Sequence, residues 1–344
     1  MSLIAFATWI TERTPLPDIM IRLGIDFLVS KTSQRLAAVP ASEDRDFALA
    51  MTAYPIAEHV EAANDQHYEL PPSFFALVLG PQRKYSSCLY EGGAEKLGEA
   101  EAHALRETTA HADLADGQRI LELGCGWGSL TLHMATRFPD ARITAVSNSH
   151  AQRRHIEVTA KMLGLANLTV VTADMNDFAP EGIFDRVVSV EMFEHMANWA
   201  ALLDRIRLWL APGGRLFLHV FSHRSRPYRF DHRDEADWIA RYFFTGGIMP
   251  SHGLIRQFSD CFTVESEWRW SGRHYQRTAL DWLLNFDANR WAIDPILAEV
   301  YGPDAAIWQR RWRLFFLATA GLFGYHGGEE WGISHYRLRP TGSG

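Results

Sequence analysis

Between Gly117 and Val220 the sequence alternates short apolar runs with amphipathic stretches, and no other feature restricts the fold as much. The runs 119–123, 142–146, 168–171, 185–190 and 215–220 have the length and apolar content of strands. Between them, 129–137, 150–163 and 200–210 carry apolar residues at helical spacing, with Ser149 as a helix N-cap and Pro212-Gly213-Gly214 as a stop signal. Strands joined by helices of this length make βαβ crossovers, so the segment predicts a doubly wound, mostly parallel α/β sheet.

The flanks read differently. Residues 1 to about 60 show helical spacing (Ile19, Leu23, Phe27, Leu36) interrupted by prolines, followed by an aromatic-rich, irregular stretch from Asn64 to Glu91 and a return to a helical pattern over Glu95–Ala112. After Ser222 the alternation stops at a polar segment holding Arg224, Arg226, Arg229 and Arg233. Two more strands are expected at 264–270 and 331–337, with helices at 279–289, 295–300 and 304–322 between them. The chain of 344 residues thus divides into a helical N-terminal region and cap (1–112), an α/β core (113–222) and a segment (223–340) with the last strands and a helical insertion. A formal charge of −7 argues against nucleic acid as a partner. Cys88, Cys125 and Cys261 are scattered without a CxxC pair, so neither a disulfide framework nor a metal site is expected, and a reducing cytoplasm is the natural setting. The N-terminus lacks a basic leader, and the longest apolar run, 314–325, falls short of the roughly 20 residues that span a bilayer. No signal peptide or transmembrane segment is expected, and no feature speaks to oligomeric state.

Chemistry concentrates where strands end. Glu122-Leu123-Gly124-Cys125-Gly126-Trp127-Gly128 sits at the turn from the first strand into the first helix, where glycines let a ligand reach main-chain N–H groups at a positive helix N-terminus. The spacing E-x-G-x-G-x-G is not the G-x-G-x-x-G of dinucleotide-binding folds. It resembles motif I of class I S-adenosylmethionine-dependent methyltransferases, in which the loop cradles the methionyl end of the cofactor. The second strand ends in Ser147-Asn148, without the acid that usually grips the ribose. After the third strand, Asp174 is placed to accept from an adenine amino group and Met175 to pack on the ring, although an Asp there equally caps its own loop. The fourth strand ends in Glu191-Met192-Phe193-Glu194-His195. Two carboxylates and an imidazole at that edge suit proton transfer, and a helical turn would put Glu191 and Glu194 or His195 on one side.

Six separated motifs then fall in the order of one family: Asn64-Asp65-Gln66-His67-Tyr68, Lys84-Tyr85-Ser86, Leu123 to Gly128, Glu191 to His195, Arg241-Tyr242-Phe243-Phe244 and Gly327-Gly328-Glu329-Glu330-Trp331. From about Ala63 to Leu338 the chain resembles the cyclopropane-fatty-acid synthase family, most closely its coclaurine N-methyltransferase-like branch. The resemblance implies a class I methyltransferase Rossmann-like sheet, S-adenosyl-L-methionine as cofactor, and an acceptor pocket under the N-terminal cap and the insertion. It assigns Tyr85 and Ser86 to the cofactor's carboxylate end and Glu122, Gly124 and Gly126 to its loop. Ser147, Asn148 and Gln152 go to the ribose region, and Asp174 and Met175 to the adenine. Cyclopropane-forming members hold a bicarbonate ion with a Cys after the Tyr-Ser pair, a Glu, a His and a Tyr. Here Ser87 follows the pair, and the remaining counterparts are Glu194, His219 and Tyr275. Those members also resemble one another in having Gly where this chain has Glu191. Both departures lean toward methylation of a small amine, with Glu194 and His195 as base and Glu191 holding the cation. Tyr68, Glu69, Phe244, Trp268 and Tyr275 would line the pocket. The alternative is C-methylation or cyclopropanation of an unsaturated phospholipid acyl chain, with the arginines of 224–233 as a peripheral membrane contact.

Overall fold

A computed structural model of the chain describes residues 3–38, 43–58, 70–91, 95–234 and 237–342. Helices α1 (Leu3–Arg13), α2 (Asp18–Ala37), α3 (Glu43–Met51), α4 (Pro72–Val78) and α5 (Leu97–His111) precede the sheet. The alternating segment forms β1 (Arg119–Leu123), α6 (Ser129–Arg137), β2 (Arg142–Ser147), α7 (His150–Leu163), β3 (Leu168–Thr172), β4 (Phe184–Val190), α8 (Trp199–Trp209) and β5 (Leu210–His223). Beyond it come the short strands β6 (Tyr228–Arg229) and β7 (Ile248–Met249), paired around α9 (Trp238–Tyr242). Then follow β8 (Phe262–Ser271), α10 (Gly272–Ala288), α11 (Arg290–Tyr301), α12 (Ala305–Gly324) and β9 (Trp331–Pro340).

Seven strands make one sheet in the order β3-β2-β1-β4-β5-β9-β8. The first five are parallel, and β9 runs antiparallel to both β5 and β8. The chain therefore has the doubly wound class I methyltransferase architecture. Strand order reverses between β1 and β4, and ligands of such sheets bind outside the carboxyl ends of the strands at that switch point.

Helices α6 and α7 match their expected bounds to the residue, and the Ser149 hydroxyl accepts from the Gln152 N–H at 3.3 Å as the N-cap of α7. Two expectations are corrected. Strand β5 starts at Leu210, so Pro212-Gly213-Gly214 lies within it, in the irregularity between the Leu210–Phe184 and Arg215–Arg186 pairs with β4. Helix α10 starts at Gly272 rather than Ala279, because its first turns bury Tyr275 and Thr278 and so lack the aliphatic spacing that marks a helix in sequence.

The core lies in two main bodies. Leu121, Leu123, Val187, Leu216 and Leu218 pack from the sheet onto Trp199, Leu203 and Ile206 of α8. Phe74, Phe75, Trp282, Phe286, Trp312 and Phe316 fill a second, aromatic body between α4, α10 and α12. Helices α1 and α2 are clipped onto α12: Glu12 accepts from Arg311 at 3.1 Å and from the Trp238 indole at 2.8 Å, and Arg313 bridges Asp18 and Asp287. Among the described residues no helix is long and apolar enough to cross a membrane, and Cys88, Cys125 and Cys261 are all free thiols.

Candidate active site

The turn after β1 is built by three left-handed residues, Gly124 at φ +80°, Gly126 at φ +51° and Gly128 at φ +83°. A Cβ at position 124 would lie 2.5 Å from the Cβ of Met192, whereas one at 126 would project into open space. The N–H groups of Gly124 and Cys125 both donate to the Val146 carbonyl, which ties the loop to β2.

A cleft opens on either side of this loop. One lobe, of about 720 Å³ with its open mouth, is lined by Ala57, Ser147, Asn148, Asp174, Met175, Glu191 and His195. The other, of about 590 Å³, is lined by Tyr85, Ser86, Thr108, Glu122, Trp127, Ser129 and Gln152. Gln152 accepts from the Ser147 hydroxyl at 2.6 Å, which leaves its own Nε2 buried with no partner among the described residues. Thr108 Oγ1, Trp127 Nε1 and Ser129 Oγ are buried and unpartnered in the same sense. Four such groups around one lobe are a set that a polar guest would satisfy. The Tyr85 ring is wedged between Phe75 and Trp282, and the buried Lys84 ammonium donates to Ser86 Oγ and to the Ser87 carbonyl. Asp174 caps its loop by accepting from the Asn176 N–H at 2.8 Å while still lining the first lobe beside Met175. Glu122 accepts from the Thr131 hydroxyl, and full burial pushes its carboxyl up to about 7. A long, two-ended cofactor with a polar amino-acid end and a flat ring fits this donor set.

Beyond β4 the backbone turns sharply at Glu191, which adopts φ +48°. A non-glycine residue there costs on the order of 1 kcal/mol, and the turn aims its carboxylate at three groups. Oε1 accepts from the Ser87 N–H at 2.9 Å and lies 3.2 Å from His219 Nε2; Oε2 accepts from the Tyr275 hydroxyl at 2.9 Å. His219 and Tyr275, expected to join Glu194, therefore converge on Glu191 instead. Glu194 follows in a 3₁₀ turn over Phe193–His195 rather than an α-turn. Its Oε1 accepts from the Phe221 N–H at 2.6 Å, and its Oε2 is buried without a partner among the described residues. Burial, and then the neighbouring Glu191, hold the Glu194 carboxyl well above the usual carboxylate range. Burial also raises Glu191, opposed by the Lys84 ammonium. The His195 ring lines the first lobe and packs 4.4 Å from Phe244, which leans in turn on Phe221 and Phe230.

Trp268 does not join them. It stacks on His111 at 3.9 Å and lies under the Arg337 guanidinium, because β8 is the edge strand, three places from β4 in the sheet. Tyr68 and Glu69 lie outside the described residues. The wall that sequence reasoning missed is Ile56–Glu58: Ala57 bridges to Met196 and bonds Asn176 through both its N–H and its carbonyl. No motif marks that stretch. Ser87 also went unassigned, because it contributes a backbone N–H that any residue type would supply.

The model of the mycolic acid cyclopropane synthetase family matches residues 57–326. The chain is similar to an (S)-coclaurine N-methyltransferase of Thalictrum flavum subsp. glaucum, 37% identical over 285 residues, which is 81% of this chain and 79% of that enzyme. Among solved structures it is similar to a coclaurine N-methyltransferase bound to N-methylheliamine and SAH, with TM-score 0.94 and 32% identity over 98% of this chain and 100% of the other. The cyclopropane synthase MmaA2 of Mycobacterium tuberculosis shares the fold, with TM-score 0.68 and 23% identity over 82% of this chain and 98% of the other.

Proposed function

The chain belongs to the mycolic acid cyclopropane synthetase family and is an S-adenosylmethionine-dependent methyltransferase, and we propose that it methylates the nitrogen of a small, partly apolar amine. One observation carries this reading: the Glu191 carboxylate fills the point on which the Ser87 N–H, His219 and Tyr275 converge. The resemblance to cyclopropane-forming members implies that they have a glycine at that position and hold a bicarbonate ion instead. Here the anion is part of the chain. A fixed negative charge beside the cleft favours a cationic amine over a neutral alkene. The similarity to a coclaurine N-methyltransferase supports the same choice.

S-adenosylmethionine, when bound, supplies a methyl group already activated on a sulfonium. The chain's residues orient, exclude water and move a proton. We assign Glu122, Gly124, Gly126, Ser147, Asn148, Gln152, Asp174 and Met175 of the core 113–222, with Tyr85 and Ser86 of the N-terminal region, to holding the cofactor, and the rest of 1–112 together with 223–340 to closing the acceptor pocket. Alignment of this kind contributes roughly 7–11 kcal/mol to a bimolecular transfer. An ammonium has no lone pair, so a base must take its proton before attack. Glu191 and Glu194 are buried carboxyls; burial makes both harder to ionise, and Glu191 adds to the effect on Glu194. Both are held above the ordinary carboxylate range, so the pair takes up a proton more readily than an exposed carboxylate does, with His195 at its mouth. Phe244 and Tyr275 give the cation an aromatic wall. Free thiols suit a cytoplasmic setting.

The test uses methyl-labelled S-adenosylmethionine with a panel of aryl-bearing secondary amines. Label should appear on nitrogen, and Glu191→Gln and Glu194→Gln should each slow transfer by about 10²- to 10⁴-fold while binding the cofactor normally. Undiminished rates in both variants would remove the carboxylate pair from the mechanism, and no labelled amine across the panel would remove the reading itself.

A further inference from the structure

Behind Glu191 stands a row of three histidines that holding and aligning the substrates does not require. His219 Nε2 lies 3.2 Å from Glu191 Oε1, and His219 Nδ1 lies 2.8 Å from His335 Nε2. His335 Nδ1 lies 2.8 Å from His111 Nδ1, and His111 Nε2 lies 3.3 Å from Glu107 Oε2. His219 and His335 are cross-strand partners of β5 and β9, so they share one face of the sheet, and His111 ends the helix α5 that packs on that face. Both strand histidines are fully buried, while the Glu107 side chain is 41% exposed. Trp270 and Phe217 flank His335 at 4.3 and 5.1 Å, and Trp268 stacks on His111. The inner links of the row are hydrogen bonds, and His111 Nε2 is within ion-pair distance of Glu107, with aromatic rings around the row.

We propose that Glu191, His219, His335, His111 and Glu107 form a proton wire that carries the acceptor's proton from the active site to the surface beside α5. The proton count closes. A protonated Glu191 donates to His219 Nε2, His219 Nδ1–H to His335 Nε2, and His335 Nδ1–H to His111 Nδ1; His111 Nε2–H faces Glu107. One hop along each bond delivers a single proton to Glu107 or to water, returns Glu191 to the carboxylate, and leaves every imidazole neutral with its hydrogen on the other nitrogen. Each ring must then turn over to restore its starting tautomer before the next proton passes. Burial holds His219 and His335 well below the ordinary histidine range, helped by Lys84 and His111 at His219 and by His219, His111 and Lys84 at His335, and burial lowers His111. The rings thus pass a proton without storing one. The charges around the row are Lys84, Glu194 and Tyr275 at its inner end, and Glu107 and Arg337 at its outer end, where Arg337 Nη1 is 3.5 Å from the His111 carbonyl.

The proposal rests on the amine reading for the source of its proton, so the test has two arms. In the first, His111→Gln at the outer end and His335→Gln in the middle are assayed with a secondary amine and with a tertiary aryl amine that stays unprotonated at the assay pH. The wire predicts that kcat for the secondary amine falls by about 10- to 100-fold at unchanged KM and recovers with added small buffers, while the tertiary amine keeps the wild-type rate. Equal losses on both amines, or no loss on either, overturn it. The second arm needs no acceptor. With ¹⁵N-labelled histidine, the three rings should switch tautomer together between pH 5 and 9 with no imidazolium signal, and His335→Gln should uncouple His219 from His111. Three independent titrations to imidazolium overturn the wire even if no amine is ever methylated, and a coupled switch alongside an inert amine panel would fault the acceptor assignment alone.

Discussion

Glu122 illustrates how one buried side chain ties cofactor binding to stability. Its carboxyl is raised from 4.5 to about 7 by burial, so the folded, cofactor-free chain holds a proton that the unfolded chain releases. Stability from this group is present below about pH 4.5 and is lost as pH rises through 7, by up to about 3 kcal/mol at 1.36 kcal/mol per unit. Thermal melts of the cofactor-free wild type should therefore lose ground to Glu122→Gln between pH 5 and 8. A constant gap between the two would show that Glu122 does not titrate in that range. The position of this residue was legible in the sequence because it is fixed by the strand-turn-helix motif. The convergence of His219 and Tyr275 on Glu191 was not, because it depends on a left-handed turn at Glu191 that residue type argues against.

At the scale of elements, helices with a polar cap or a long apolar stripe were readable, and the polar opening turns of α10 were not. Helix α7 has a Ser N-cap and a clear apolar stripe, whereas α10 opens on Gly272, Arg273 and His274 before burying Tyr275. Strand order governs which aromatic residues can reach the cleft. Phe244 sits between His195 and Phe221 in the loop after α9, while Trp268 lies on edge strand β8 against His111. Phe244→Ala should raise the acceptor KM by about tenfold, since an aromatic contact is worth about 0.5–1.5 kcal/mol and 1.4 kcal/mol is a factor of ten. Trp268→Ala should leave that KM where it is. Steady-state kinetics on the same amine would check both, and a reversed order would mean that the acceptor enters from the β8 side. The histidine row was equally invisible in sequence, because His219 and His335 are 116 residues apart and meet only through the antiparallel β5–β9 pair.

Over the whole molecule, the sheet edge positions the reacting groups and a helical layer built from both ends of the chain covers them. Residues 1–60 carry no motif, yet α1 and α2 lock to α12 through Glu12–Arg311 and Asp18–Arg313, and Ile56–Glu58 walls the cleft. Long-range ion pairs and a backbone wall leave no local signature, which is why the sheet and the helical character of its cover were legible and the contacts that fasten the cover were not. The cover and the fixed Glu191 carboxylate together point to a small cationic acceptor in an enclosed site. The most direct measurement is a single-tube competition, with labelled S-adenosylmethionine, an aryl-bearing secondary amine and vesicles of unsaturated phospholipid present together. Label confined to the amine nitrogen is the predicted result. Label in the acyl chains, with the amine untouched, would contradict it.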